Sequence, residues 1–114
     1  MDNIRELEKI EKATSGWFKK SARQRIAAAI NEMKPHIESA KALPENERKE
    51  KFKYLLNKAS EQRKYAVQSD ATSYSHPQWS AAAACESWLF ELINGTPDNI
   101  IKVELLINGL SMRD

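Results

Sequence analysis

The stretch from His76 to Asn94, HPQWSAAAACESWLFELIN, constrains this chain more than any other. On a helical wheel of about 100° per residue its clearly polar positions fall on one narrow stripe, Ser80, Ser87 and Glu91, with Ala84 among them. Apolar groups cover most of the remaining circumference. A helix apolar on nearly every side is buried by several neighbours, and a run of four alanines lets those neighbours approach closely. Residues 76–94 are therefore the expected centre of a helical bundle.

The rest of the composition fits that centre. A chain of 114 residues forms one domain, residues 1–114, and can bury roughly two-thirds of the surface that its unfolded form exposes. Hydrophobic residues at 41% and charged residues at 30% are in the globular range, and three glycines with four prolines argue against a sandwich or barrel. No apolar run reaches the length of a membrane span, and the charged start MDNIRE has no export segment. The expectation is a cytoplasmic protein with no membrane partner. Cys85, the one cysteine, cannot form an internal disulfide and reads as a small buried hydrophobe. The net charge of +2 hides an asymmetry: residues 1–64 carry sixteen Lys/Arg against ten Asp/Glu, whereas residues 65–114 carry two against six.

Taken in order, residues 2–14 predict a short helix with Ile4, Leu7, Ile10 and Trp17 on its apolar side, ended or kinked by Gly16. Ser21 and Gln24 have capping-box spacing for a second helix, whose start could also lie nearer Ser15 or Trp17. Its stripe Ala22, Ile26, Ala29, Ile30, Met33, Ile37, Ala40 is unusually clean. Pro35, opposite that stripe, predicts a bend or a break into two helices. Pro44 and the acidic residues after it predict a third helix from about Glu45 to Gln68, with Phe52, Leu55, Leu56, Ala59, Ala66 and Val67 inward and Tyr54 and Tyr65 outward. Residues 69–75 read as the longest loop. After the central helix, Thr96-Pro97-Asp98 supplies the cap, proline and acid of a last helix ending near Gly109.

Three features could carry function. Glu86 points away from the polar stripe of its helix, and Arg63 lies in line with Phe52, Leu56, Ala59 and Ala66, so the two are expected to form a buried ion pair, structural or functional. Lys19, Lys20, Arg23 and Arg25, directly after Trp17-Phe18, form a candidate patch for an anionic partner. The bland alternative is a solvated charged face with Trp17 and Phe18 packed as core. Ile101, Leu105, Leu106 and Leu110 belong to a last helix apolar in almost every direction, and form a candidate subunit contact of a homodimer. The catalytic inventory is thin: His36 and His76 lie far apart, and no zinc spacing, phosphate-cradling glycine loop or serine motif is present.

These readings converge on an all-α, single-domain bundle of about five mostly antiparallel helices. The expected function is that of a non-enzymatic protein-interaction module, an inhibitor, adaptor or assembly subunit, presenting a helical surface without metal or cofactor. The alternative is a non-specific nucleic-acid-binding protein using the basic segment 19–25.

Overall fold

Asp2 stands outside the first helix in extended conformation, and its carboxylate accepts a hydrogen bond from the Arg5 backbone N–H, so α1 starts at Asn3 and runs to Ala13. The computed structural model describes residues 2–68, Tyr74 and residues 76–113, without the side chains of Val67 and Gln68. The loop expected over residues 69–75, Tyr74 apart, and the inward placement of Val67 lie outside the described residues. Leu7 and Ile10 are fully buried, Ile4 packs at the edge of the core, and Thr14 closes the helix by donating its hydroxyl to the Ile10 carbonyl at 2.8 Å.

Gly16 then leads into a single 3-10 turn, Trp17–Lys19, which passes directly into α2, Lys20–Lys41. The Ser21–Gln24 capping box is not used, because the 3-10 turn already supplies the start of α2 and both residues fall inside it. Trp17 does not join the apolar side of α1: it and Phe18 are among the most exposed large hydrophobic side chains of the described residues. Nor does Pro35 break α2. Its side is exposed, and Ile30, Ile37 and Ala40 remain anchored in the core on either side of the missing backbone bond, so the helix continues through it.

The chain reverses at residues 42–44 and α3 runs from Glu45 to Gln68, with Glu45 and Glu47 in its first turn, where the helix dipole favours anions. α4, Pro77–Asn94, has proline at its start. It ends at Gly95, whose N–H donates to the Glu91 carbonyl at 2.7 Å. A Cβ at residue 95 would lie 2.6 Å from that carbonyl oxygen and 2.7 Å from the Glu91 carboxylate, so only glycine fits against the end of the helix. α5, Pro97–Ser111, is capped by the Thr96 hydroxyl, which accepts from the Asn99 N–H at 3.2 Å.

α1, α3 and α5 run one way, α2 and α4 the other, as the cross-links Asn3–Glu91, Arg63–Glu86, Asn31–Ser111 and Lys41–Glu104 require. The other four helices all pack on α4. Its Ala81, Ala83, Ala84, Trp88 and Leu89 meet Ile26, Ile30 and Ile37 of α2, Phe52, Leu55 and Ala59 of α3, Val103, Ile107 and Leu110 of α5, and Leu7 and Ile10 of α1 in one core. The polar stripe of α4 lies inside this ring. Ser80, Ser87 and Glu91 are all buried, with the Ser80 hydroxyl donating to the Tyr74 carbonyl and the Asn3 amide donating to Glu91 at 2.6 Å. The Cα radius of gyration of 13.4 Å is close to the roughly 13 Å expected of a chain this long packed at native density. The protein is an all-α helical bundle built around α4.

Candidate protein-binding groove

α2 and α3 leave their common turn and settle on α4, and they touch each other less than either touches α4. The space left between them, above α4, is a groove of about 690 Å³. Its floor consists of small side chains, Ala81, Ala82 and Cys85. Ala29 and Met33 of α2 and Leu55 of α3 form its walls, and Glu32, His36, Gln62 and Gln78 complete it.

The rim on α3 follows from helical period. Lys51, Tyr54, Lys58, Gln62 and Tyr65 recur at three- and four-residue intervals, which makes a second stripe beside the buried one at Phe52, Leu55, Ala59 and Ala66. Tyr54 and Tyr65 are each more than half exposed. The Tyr54 ring has the Lys51 ammonium 5.0 Å and the Lys58 ammonium 5.4 Å from its centroid, so two cations flank it. From Lys51 to Tyr65 the stripe is about 21 Å long, four turns at roughly 1.5 Å per residue. Two lysines, Lys51 and Lys58, stand against the single carboxylate, Glu32, along the groove, so its lining carries a net positive charge.

Burial pushes the Cys85 thiol up to about 12, so it stays protonated at neutral pH and is a poor nucleophile. Among the described residues no group of three or more His, Cys, Asp or Glu side chains is arranged to hold a metal ion.

The residues singled out in the sequence lie elsewhere. The Arg63 Nε is 2.7 Å from Glu86 Oε1 and its Nη2 is 3.3 Å from Oε2, while the Ser60 hydroxyl also donates to Oε2. The pair is partly exposed, joins α3 to α4 and does not line the groove. Lys19, Lys20 and Arg25 are exposed, but Arg23 is engaged: its Nη1 donates to the carbonyls of Thr14 at 2.9 Å and Gly16 at 2.5 Å. Arg113 reaches the same place, donating to the Thr14 carbonyl at 2.7 Å, and burial together with the charge of Arg23 lowers its pKa from the ordinary arginine value. Two guanidinium groups thus serve the negative C-terminal end of α1.

On α5, Ile101 and Leu105 are 59% and 66% exposed, and Leu106 is half-buried against the core. Leu110 must be removed from the candidate subunit contact. It falls on the Val103–Ile107–Leu110 stripe, is 1% exposed and belongs to the chain's own core. Met112 takes its place on the exposed side.

No protein-family model matches the chain, and comparison with curated proteins and with solved structures gives no match. The class that fold and surface define is a helical bundle, with five α-helices among the described residues and a groove between two of them.

Proposed function

We propose that this chain is a non-catalytic protein-interaction module that receives an amphipathic helix of a partner protein in the groove between α2 and α3, with carboxylates of the partner opposite Lys51 and Lys58. The observation that carries the reading is the α3 rim, where two large aromatic side chains stand exposed beside a floor of alanines and a cysteine. A helix docks into such a groove through anchors three, four and seven residues apart, and a small-residue floor lets its backbone come close. Tyrosine is enriched among the residues that dominate binding energy, and a methionine wall adapts its shape to what enters. The lysines favour and steer an acidic partner.

The test is site-specific photo-crosslinking in cells, with the reactive group in place of Gln62 on the groove or Lys102 on α5. Crosslinks from residue 62 alone, mapping to one helical segment with carboxylates on its polar face, are the expected result. Tyr54→Glu, a change at an exposed position, is expected to lower that capture more than tenfold, the effect of losing a hot spot worth about 2 kcal/mol. Capture equal from both positions, or unchanged by Tyr54→Glu, would sink the proposal.

A second reading, self-association, is favoured by Ile101 and Leu105, which stand exposed on one face of α5. Light scattering is then expected to give twice the chain mass of 13.0 kDa at micromolar concentrations, and Leu105→Glu to return it to the single-chain value. A parent protein that scatters as one chain removes this reading.

A further inference from the structure

Trp17 and Phe18 are 79% and 82% exposed, adjacent on the 3-10 turn between α1 and α2. Their ring centroids are 4.4 Å apart with the planes tilted by 34°, so each ring shields part of the other and neither reaches the core. The turn is held in place: Arg23 ties the Thr14 and Gly16 carbonyls, and Arg113 ties Thr14 to the end of α5. That second link puts exposed Met112 at the same end of the bundle.

Cations dominate the charge around this tip, with Glu11 near Arg113 as a carboxylate at its edge. Residues 12–31 contain five cations, Lys12, Lys19, Lys20, Arg23 and Arg25, and no carboxylate. Lys19, Lys20 and Arg25 are exposed beside the aromatic pair.

We propose that this tip anchors the protein on the surface of an anionic lipid bilayer, with Trp17 and Phe18 entering the boundary between headgroups and acyl chains and Lys19, Lys20 and Arg25 on the lipid phosphates. Two features favour lipid over nucleic acid. Single strands are bound by open aromatic faces set in a groove that follows the backbone, whereas these two rings lie tilted against each other on one short 3-10 turn, each covering part of the other's face. Tryptophan, moreover, settles at the membrane–water interface, and stable attachment takes two signals, here apolar insertion and a basic patch. The attachment is peripheral, since among the described residues no helix is long and apolar enough to cross a membrane, and it revises the expectation of no membrane partner, which rested on the lack of a spanning segment. It shares no side chain with the groove between α2 and α3.

The experiment is co-sedimentation of the full chain with vesicles of equal parts phosphatidylcholine and phosphatidylserine, and with phosphatidylcholine alone. The protein is expected to sediment with the mixed vesicles, less so as salt is raised, and not with the neutral ones. Tryptophan emission should shift to the blue on binding, because Trp17 enters the bilayer while Trp79 and Trp88 are already buried. Trp17→Ala/Phe18→Ala is expected to lose that shift and more than tenfold in affinity. Lys19→Ala/Lys20→Ala should weaken binding about twenty-five-fold, from roughly fivefold for each cation at the surface. These positions are exposed, so unchanged circular-dichroism melting is expected of both variants. No sedimentation with the mixed vesicles, or sedimentation indifferent to Trp17→Ala/Phe18→Ala, would overturn the proposal. So would a fluorescent oligo-dT that needs these residues for binding when the vesicles are not bound, and that outcome would assign the tip to single-stranded nucleic acid.

Discussion

Trp88→Ala is expected to lower the unfolding free energy by about 3–5 kcal/mol, the usual cost of emptying a buried tryptophan site. Trp88 is 1% exposed, on the side of α4 that meets α5, and its indole N–H donates to the Glu104 carboxylate at 3.1 Å. Glu104 in turn accepts from the Lys41 ammonium at 2.6 Å, so one carboxylate joins α2, α4 and α5. Truncation removes the apolar contact of the ring, leaves a cavity among three helices and takes one of the two donors from Glu104. Because Lys41 remains, the cavity dominates the loss. A domain of this size has a total stability of about 5–15 kcal/mol, so the variant should be near its unfolding threshold. Trp88→Phe keeps most of the volume and isolates the lost N–H, with an expected cost of about 1–2 kcal/mol. Urea unfolding followed by circular dichroism checks both, with Trp17→Ala as control, since an exposed site should change stability by no more than about 0.5 kcal/mol. A Trp88→Ala midpoint equal to that of the control would contradict the central place given to this side chain.

How much of this arrangement is legible in the sequence depends on whether a feature is local. α3 begins and ends where the sequence places it, at Glu45 and Gln68, because Pro44, the acids after it and a long apolar period are local signals that tertiary structure did not override. α4 falls within a residue of its expected start for the same reason. The last helix reaches Ser111, two residues past the expected Gly109, because glycine inside a helix weakens it without ending it. The wheel of α4, by contrast, shows where its polar stripe lies but not what meets it. Asn3 comes from the far end of the chain to satisfy Glu91, so the stripe is interior, while Phe90, apolar by pattern, is partly exposed.

Trp17 and Phe18 illustrate the converse. Hydrophobicity alone places them in a core, but on the 3-10 turn after Gly16 both stay largely exposed. The groove was the least legible of all. Its residues come from three helices, and its existence depends on how far α2 and α3 diverge, which no local pattern encodes. The one available signal was the pair Tyr54 and Tyr65, outward on the wheel at positions where a solvated helix face would have no need of large aromatics.

Alkaline pH should destabilise this protein through its cysteine. Cys85 is almost wholly buried at the floor of the groove, where a thiolate would be stripped of water, and its pKa rises from 9.0 to about 12. In the unfolded chain the thiol ionises around its ordinary value, so above pH 9 the unfolded state gives up a proton that the folded state keeps. The stabilisation is complete below pH 9 and is lost as the pH rises through about 12, a total of roughly 4 kcal/mol at 1.36 kcal/mol per unit. Two other groups lean the same way. Tyr74 is raised by burial and then by Glu6; Lys41 is lowered by burial, but the hydrogen bond and charge of Glu104, with help from Glu38, outweigh this and leave it above 10.5.

The contribution of the thiol is therefore read as a difference. Unfolding free energies of the parent and of Cys85→Ala are compared near pH 8 and near pH 10.5, where about half of the linkage, roughly 2 kcal/mol, should have been lost. Cys85→Ala lowers stability at both pH values by removing packing, but only the parent should carry the extra alkaline loss. Equal losses in the two proteins would assign the alkaline sensitivity to Tyr74 and Lys41 and show that the floor of the groove admits water to the sulfur. In that case Cys85 would titrate near its ordinary value, and the groove would hold a reactive thiol where the buried geometry calls for an inert one.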